Sequence, residues 1–399
     1  MRASEAVPLK HLAGINERAL TDNTDPDRQI RYIDISAVGR GALVAEPQTM
    51  RFEDAPSRAR RLVRDSDTIV STVRTYLRAV WPVQGDTTDL IASTGFAVLS
   101  PREIDPGYFS WWIRSDVFIE EVVARSVGVS YPAINALDLG ELRVRVPSHE
   151  EQRAIADYLD TETARIDALI TKKRRMIELL EQRRSIEIET LVRAAASAKE
   201  LPLKHAVRDV TVGIVITPAA WYADDGVPAV RGVNVSPGQI DMNDCVYLTD
   251  EGHLINRKST IRSGDVLVVR TGQAGAAAVV PDELDGTNCI DLLLIRPSQR
   301  VAPRFLEYVL NSDWTMKHIE KHSVGTIQSH FNVGALRQLP MPLPTLEEQN
   351  AVVHELDLTC GIIDDAMAKL QRQLDLLMEH RQALITAAVT GELEIPKAA

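Results

Sequence analysis

Residues 344–357 read PTLEEQNAVVHELD, and residues 147–160 read PSHEEQRAIADYLD. Each stretch has a proline, then a hydroxyl side chain, Ser148 or Thr345, with a glutamate three residues on, Glu151 or Glu348. That is the pattern of a capping box at a helix start. Sliding the chain against itself by 197 residues extends the match without gaps from Pro106–Val192 to Pro303–Val389, with 25 of 87 pairs identical. Chance alone would give about five, so the chain contains an internal duplication. SVG at 126–128 meets SVG at 323–325, and Ile166-Asp167 meets Ile363-Asp364. Upstream the copies agree only in fragments: PLKH recurs at 8–11 and 202–205, and RDSDTIVSTVRT (64–75) resembles RSGDVLVVRTG (262–272) with a shift of register.

Downstream of each box the apolar residues follow helical spacing. Leu356, Ile363, Leu370, Leu377 and Leu384 fall every seven residues, and Cys360, Met367 and Leu374 form a second row four residues on. The first copy places Leu159, Ile166, Ile170, Ile177 and Leu180 in the same way, followed by Ile188 and Leu191, with Lys173 and Glu187 as polar breaks. Two long coiled-coil helices are predicted, the second ending at Gly391 in VTGEL. They are expected to run antiparallel, because the globule between them returns the chain close to where it left. The alternative is two amphipathic helices lying on separate cores. The remaining segments alternate β-branched runs, DTIVSTV (67–73), FAVL (96–99), DVLVV (265–269) and IDLLLI (290–295), with apolar-faced helical stretches at 107–124 and 304–320. These read as α/β, with Trp111, Trp112 and Trp314 as core. The expected organisation is globule 1–147, helix 148–198, globule 199–344, helix 345–391 and tail 392–399.

Composition excludes several classes. No run approaches the ~18 apolar residues of a membrane span, and the first residues carry no signal-like apolar core. Cys245, Cys289 and Cys360 are too far apart for a zinc site or a disulfide framework, which points to a reducing cytoplasm. The net charge is −11, but residues 345–399 alone hold 4 Lys+Arg against 10 Asp+Glu, so the rest is close to neutral. There is no phosphate-binding glycine loop, no dinucleotide fingerprint, no methyltransferase-type Asn-Pro-Pro-aromatic motif and no G-x-S-x-G. No catalytic residue and no metal site is expected. His318 and His322 are four apart, but their counterparts are Glu121 and Arg125 and no third ligand is evident. The basic run KKRR (172–175) reads as a solvated helix face, and SRARRLVR (57–64) as a face able to meet phosphate. Arg74 and Arg270 each stand where an apolar strand ends in Arg-Thr, a place suited to a base edge, a phosphate or a surface ion pair.

Together LRVRVPSHEEQRAIADYLDTETARID, LRQLPMPLPTLEEQNAVVHELD, SGDVLVVRTG and LITAAVTGEL resemble the DNA-specificity subunits of type I restriction–modification systems over essentially the whole chain. DSDTIVSTVRT departs from the pattern by lacking the Gly-Asp pair found at 264–265. The resemblance implies two tandem α/β target recognition domains, joined by two antiparallel spacer helices in a pseudo-twofold arrangement. Each domain would read half of a bipartite site on double-stranded DNA. Arg74, Thr75 and Tyr76 would contact the first half and Arg270, Thr271 and Gln273 the second. The implied partners are two methyltransferase subunits and restriction/motor subunits. S-adenosylmethionine and ATP would be used by those partners in defence against foreign DNA, and this chain would bind no cofactor. A catalytic restriction or modification protein, or a coiled-coil interaction protein that binds no DNA, are the competing expectations. If the helices set the spacing, four residues inserted after Ala196 would add about 6 Å of helix and lengthen the spacer by roughly one to two base pairs.

Overall fold

A computed structural model describes residues 6–195, 200–272, 274–322 and 332–395, with side chains described in all of these but 318–322. The helices in chain order are α1 (Pro106–Arg114), α2 (Asp116–Ala124), α3 (Ala136–Gly140), α4 (His149–Ala195), α5 (Asp250–Ile255), α6 (Pro303–Leu310), α7 (Asp313–His322), α8 (Val333–Gln338) and α9 (Leu346–Thr390). Each of the two predicted helical stretches is a helix pair. Ser115 interrupts the first, and its hydroxyl accepts the Phe118 N–H at 3.4 Å; Ser312 does the same for the Thr315 N–H at 3.4 Å. A serine that caps a new start competes with continuation of the old helix.

The chain forms two compact units, Met1–Arg174 with Arg372–Ala399, and Arg175–Gln371. Each unit therefore holds one globule and a segment of both long helices. In the first unit an antiparallel sheet has the order Ala13–Ile15, Phe96–Pro101, Thr68–Ser71, Val80–Pro82. A second sheet has the order Gln48–Arg51, Gln29–Ile33, Leu90–Ser93, Ala59–Leu62, with a parallel pair at its centre. The second unit repeats the first pattern with Val207–Val212, Leu292–Pro297, Val266–Val269, Ala277–Val279. Its other sheet runs Tyr222–Ala223, Val246–Leu248, Val227–Val230, Asn288–Cys289, the last pair parallel. The PLKH fragments form matching 3-10 turns, Leu9–His11 and Leu203–His205.

Within each unit the long helices pack antiparallel. In the first, Ile155 and Leu159 of α4 share a core with Ile385, Ala388 and Val389 of α9, and further along α4 Asp167 meets Arg381 at 2.9 Å. In the second, Arg184 of α4 meets Asp364 at 2.9 Å, and Ile188 and Val192 share a core with Leu356 and Cys360. Adding 197 to Asp167 and Arg184 gives Asp364 and Arg381, so the repeat exchanges one ion pair for the other. Leu159, Ile166, Ile170, Leu356, Ile363 and Leu370 are buried, whereas Ile177, Leu180, Leu377 and Leu384 are half-buried. At the end of α9 Ile385, Ala388 and Val389 are fully buried, because there the helix faces the globule as well as α4. Arg381→Asp alone should cost about 0.5–1 kcal/mol, and adding Asp167→Arg should recover most of it, as partly exposed pairs do. A denaturant double-mutant cycle checks this.

The box predicted twice is complete once. Thr345 Oγ1 accepts the Glu348 N–H at 3.3 Å while Glu348 Oε2 accepts the Thr345 N–H at 2.8 Å. Those bonds to Thr345 hold the Glu348 carboxyl below the usual carboxylate range. Ser148 caps Glu151, but the Glu151 carboxylate turns to Arg145 at 2.6 Å. Pro342 stands at the corresponding place in the second copy and offers no cation. At the far end Gly391 has φ +83°, and the Leu393 N–H reaches the Ala387 carbonyl at 3.0 Å, closing α9 as predicted.

The expectation for the Ala196 insertion does not survive this packing. Residues 196–199 lie outside the described residues. The second globule, however, is packed on α4 through Ile188 and Val192 and also on α9 through Leu356 and Cys360. Extra residues after Ala196 would not move a body gripped by both helices.

Candidate nucleic-acid interface

The repeated Glu-Glu-Gln has its explanation in the glutamine. Gln152 is 1% exposed and Gln349 is fully buried. Gln152 Oε1 accepts the Asp105 N–H at 2.8 Å, and its Nε2 donates to the Pro147 carbonyl at 2.9 Å. Gln349 Oε1 accepts the Ala302 N–H at 2.8 Å, and its Nε2 donates to the carbonyls of Arg300 at 2.8 Å and Pro344 at 2.9 Å. Asp105 and Ala302 are the residues from which α1 and α6 start. One amide therefore ties the first turn of a long helix to the first turn of a globule helix. It can do so because an amide both accepts and donates.

A second tie recurs with different chemistry. Trp111 Nε1 donates to Asp160 at 2.8 Å, and at the corresponding place Tyr308 donates its hydroxyl to Asp357 at 2.6 Å. Trp111 and Trp112 are core residues, and Trp314 packs against the core of the second unit. The globules are thus held on their helices by matching bonds.

Loops of the globules carry the residues predicted to meet DNA. In the first unit the strand Thr68–Ser71 runs into a 3-10 turn, Thr75–Leu77, flanked by Arg74 and Arg78 in the left-handed region at φ +50° and +55°. Non-glycine residues there are uncommon and cluster at functional sites. Arg74 is exposed, its guanidinium lies 4.8 Å from the centre of the Tyr131 ring, and it forms no ion pair among the described residues. Thr75 is buried, its hydroxyl 2.7 Å from that of Ser126; Tyr76 is exposed.

The second loop is different. Arg270 follows directly on the strand Val266–Val269, is half-buried, and pairs with Asp291. By strand pairing Thr68 lies opposite Leu99 and Val266 opposite Ile295, so Arg270 corresponds to Thr72, not to Arg74. The two Arg-Thr pairs look alike in sequence but are not structural equivalents. Thr271 is half-buried, and Gln273 lies outside the described residues. Sequence reasoning missed Leu77, Val127, Val129 and Tyr131, which share the first loop cluster. The available signal was SVG at 126–128, one of the longest identities of the repeat in a segment with no helical or strand period.

The basic run at 57–64 is largely neutralised within the globule. Arg58 pairs with Asp34 at 2.8 Å, and Arg60 pairs with Asp22 at 3.3 Å while lying over Phe52. Burial holds the Arg61 guanidinium below its usual range. Of KKRR, Lys173 reaches Gln373 at 2.6 Å and Arg175 pairs with Glu178 at 2.8 Å. No group of three His, Cys, Asp or Glu side chains among the described residues could hold a metal; the side chains of His318 and His322 lie outside them. No helix among the described residues is long and apolar enough to cross a membrane.

No family model matches the sequence. Among curated proteins the chain is similar to the type I restriction enzyme EcoBI specificity subunit of Escherichia coli, 19% identical over 301 residues, 69% of this chain and 64% of that protein. It is also similar to the StySPI specificity subunit of Salmonella potsdam, 26% identical over 182 residues, 43% of this chain and 38% of that protein. The matches thus span less than two thirds of the length of these relatives. A chain from a structure solved for complex assembly and conformational transition of the type I R-M system has the same fold, with a TM-score of 0.70, 23% identity and 98% of both chains covered.

Proposed function

We propose that this chain is the DNA-specificity subunit of a type I restriction–modification complex. Its two globules each read one half of a bipartite site, and α4 and α9 determine how many unspecified base pairs separate the halves. The observation that carries this reading is the doubled joint. The same buried glutamine and the same aromatic–aspartate tie hold two globules whose exposed loops have diverged. A pair of readers on a common scaffold needs that combination: constant mounting, variable contact surface. Two methyltransferase subunits would dock on the paired helices and restriction/motor subunits would join them in the cytoplasm. S-adenosylmethionine and ATP would be bound by those partners, with no catalytic residue in this chain.

The test is a chimera within the assembled complex. Replacing residues 1–146 with the corresponding domain of a relative should change one half of the methylated motif and leave the other half intact. A chimera that altered both halves would overturn the modular reading, and one that altered neither would favour a coiled-coil interaction protein.

Arg74 and Arg270 separate under alanine substitution. Arg74→Ala should weaken binding at the first half-site by about 1–3 kcal/mol if the guanidinium meets a base edge. If it meets a phosphate, the loss should be equal on all sequences and the salt dependence shallower. Arg270→Ala should have the smaller direct effect on DNA, because its charge is already engaged by Asp291. Duplex titrations at two salt concentrations measure both.

A further inference from the structure

The first unit exposes a compact apolar patch. Tyr76, Leu77, Val127, Val129 and Tyr131 are between 52% and 101% exposed. They stand on two loops joined by short bonds. The Arg74 N–H donates to the Pro132 carbonyl at 2.8 Å, the Ile134 N–H to the Thr72 carbonyl at 2.9 Å, and Thr75 meets Ser126 through their hydroxyls. Val127 and Ala133 exchange backbone bonds at 2.9 and 3.0 Å. Gly128 turns the second loop at φ +121°, where a Cβ would come within 3.1 Å of the Tyr131 carbonyl. The patch is held in shape before any partner arrives, and contiguous exposed apolar surface of this kind marks a contact site.

Charge decides between occupants. Neighbouring cations are already engaged: Arg78 with Asp116 and Arg125 with Glu121. Arg74 forms no ion pair among the described residues, and its guanidinium lies over the Tyr131 ring of the patch. An apolar protein surface closing over it would bury an unpaired charge, which is costly. A DNA groove offers both things the patch requires, an acceptor for the guanidinium and methyl groups for the apolar side chains.

We propose that loops 72–78 and 126–132 read thymine in the first half-site, with Leu77, Val129 and Tyr131 covering its C5-methyl while Arg74 engages an adjacent acceptor. This rests on the reading of the chain as a DNA-specificity subunit and adds which chemical group the first globule recognises. Contact between apolar side chains and the thymine methyl is one of the direct readouts the major groove offers.

The test uses the assembled methyltransferase complex and duplexes carrying the motif found methylated in cells. Each thymine of the first half-site is replaced in turn by uracil, which removes only the methyl. At one position affinity should fall by about fourfold, the equivalent of one buried methyl. Leu77→Ala with Val129→Ala should weaken the thymine duplex by at least about fourfold and make it indistinguishable from its uracil version. Both residues are exposed, so the fold should tolerate the change. A first half-site without thymine on either strand, or uracil replacements without effect, would overturn the proposal. So would variants that weaken scrambled duplexes equally, or that leave DNA binding intact but release a methyltransferase subunit; the last outcome would make the patch a protein-docking surface. If the wild-type complex failed to distinguish its own motif from scrambled DNA, the DNA-specificity reading itself would fall.

Discussion

Gln349→Leu should destabilise the second unit by about 2–4 kcal/mol while leaving hydrogen exchange in the first unit unchanged. Leucine fills a similar volume, so the loss is of bonds more than of packing. The Ala302 N–H and the carbonyls of Arg300 and Pro344 all lose their amide partner within the joint. A backbone group left buried and unpaired costs about 1–3 kcal/mol. Gln152→Leu should do the same in the first unit through Asp105 and Pro147. Gln349→Glu is the sharper control. It keeps the acceptor for Ala302 but sets a carboxylate oxygen against two carbonyls in a buried place, so at neutral pH it should cost more than leucine. If leucine cost less than about 1 kcal/mol, the glutamine would not be what holds the joint.

The second large effect concerns spacing. Because each globule is packed on both long helices, an effective lengthening must occur in both. We expect four residues inserted between Arg174 and Arg175, together with four between Gln371 and Arg372, to abolish modification of the wild-type motif. Modification should move to a motif with the same two halves and a spacer longer by about one to two base pairs. Four helical residues add about 6 Å and turn the chain by about 40°, and an inserted four is a stutter that a coiled-coil seam accommodates. Two base pairs add about 7 Å and roughly 70° of twist, a mismatch that modest strain absorbs. Seven residues in each helix preserve the heptad but add about 10 Å with almost no net turn. They should therefore fit no spacer as well. The same four residues placed after Ala196 alone should leave the motif unchanged. Methylome sequencing of cells carrying each variant reads the result. An unchanged motif in an active complex with both helices lengthened would remove the helices from any role in spacing.

Much of the architecture was legible because it is written twice. The 197-residue offset aligns α1 with α6, α3 with α8 and α4 with α9, and the heptads of 356–384 identified a seam whose buried positions include Leu356, Ile363 and Leu370. The helix starts were legible from Ser148 and Thr345, since caps act over three residues of sequence. The breaks at Ser115 and Ser312 were not, because a serine within an apolar-faced stretch reads equally as a tolerated helix residue. The candidate site was legible only in part. Arg74 and Tyr76 stood out by position, whereas Val129 and Tyr131 lie more than fifty residues away and are brought beside them by backbone bonds at Thr72 and Arg74, the Thr75–Ser126 hydroxyl pair and the stacking of Arg74 on Tyr131.

Two copies of one plan, a long helix closing each, and the places where those helices begin can all be read from the residues in order. These are properties of spacing, and spacing within a helix is set by local geometry. The tertiary structure decided what the repeated residues are for. It showed that the glutamine of Glu-Glu-Gln is a buried tie, that Glu151 leaves its box for Arg145, and that Arg270 is paired with Asp291 while Arg74 lies over Tyr131 with no ion pair among the described residues. Each of these depends on which distant group fills the space beside a side chain. A buried amide or guanidinium takes the partner that the fold presents to it, and that partner is fixed by packing across the chain, not by its neighbours in sequence.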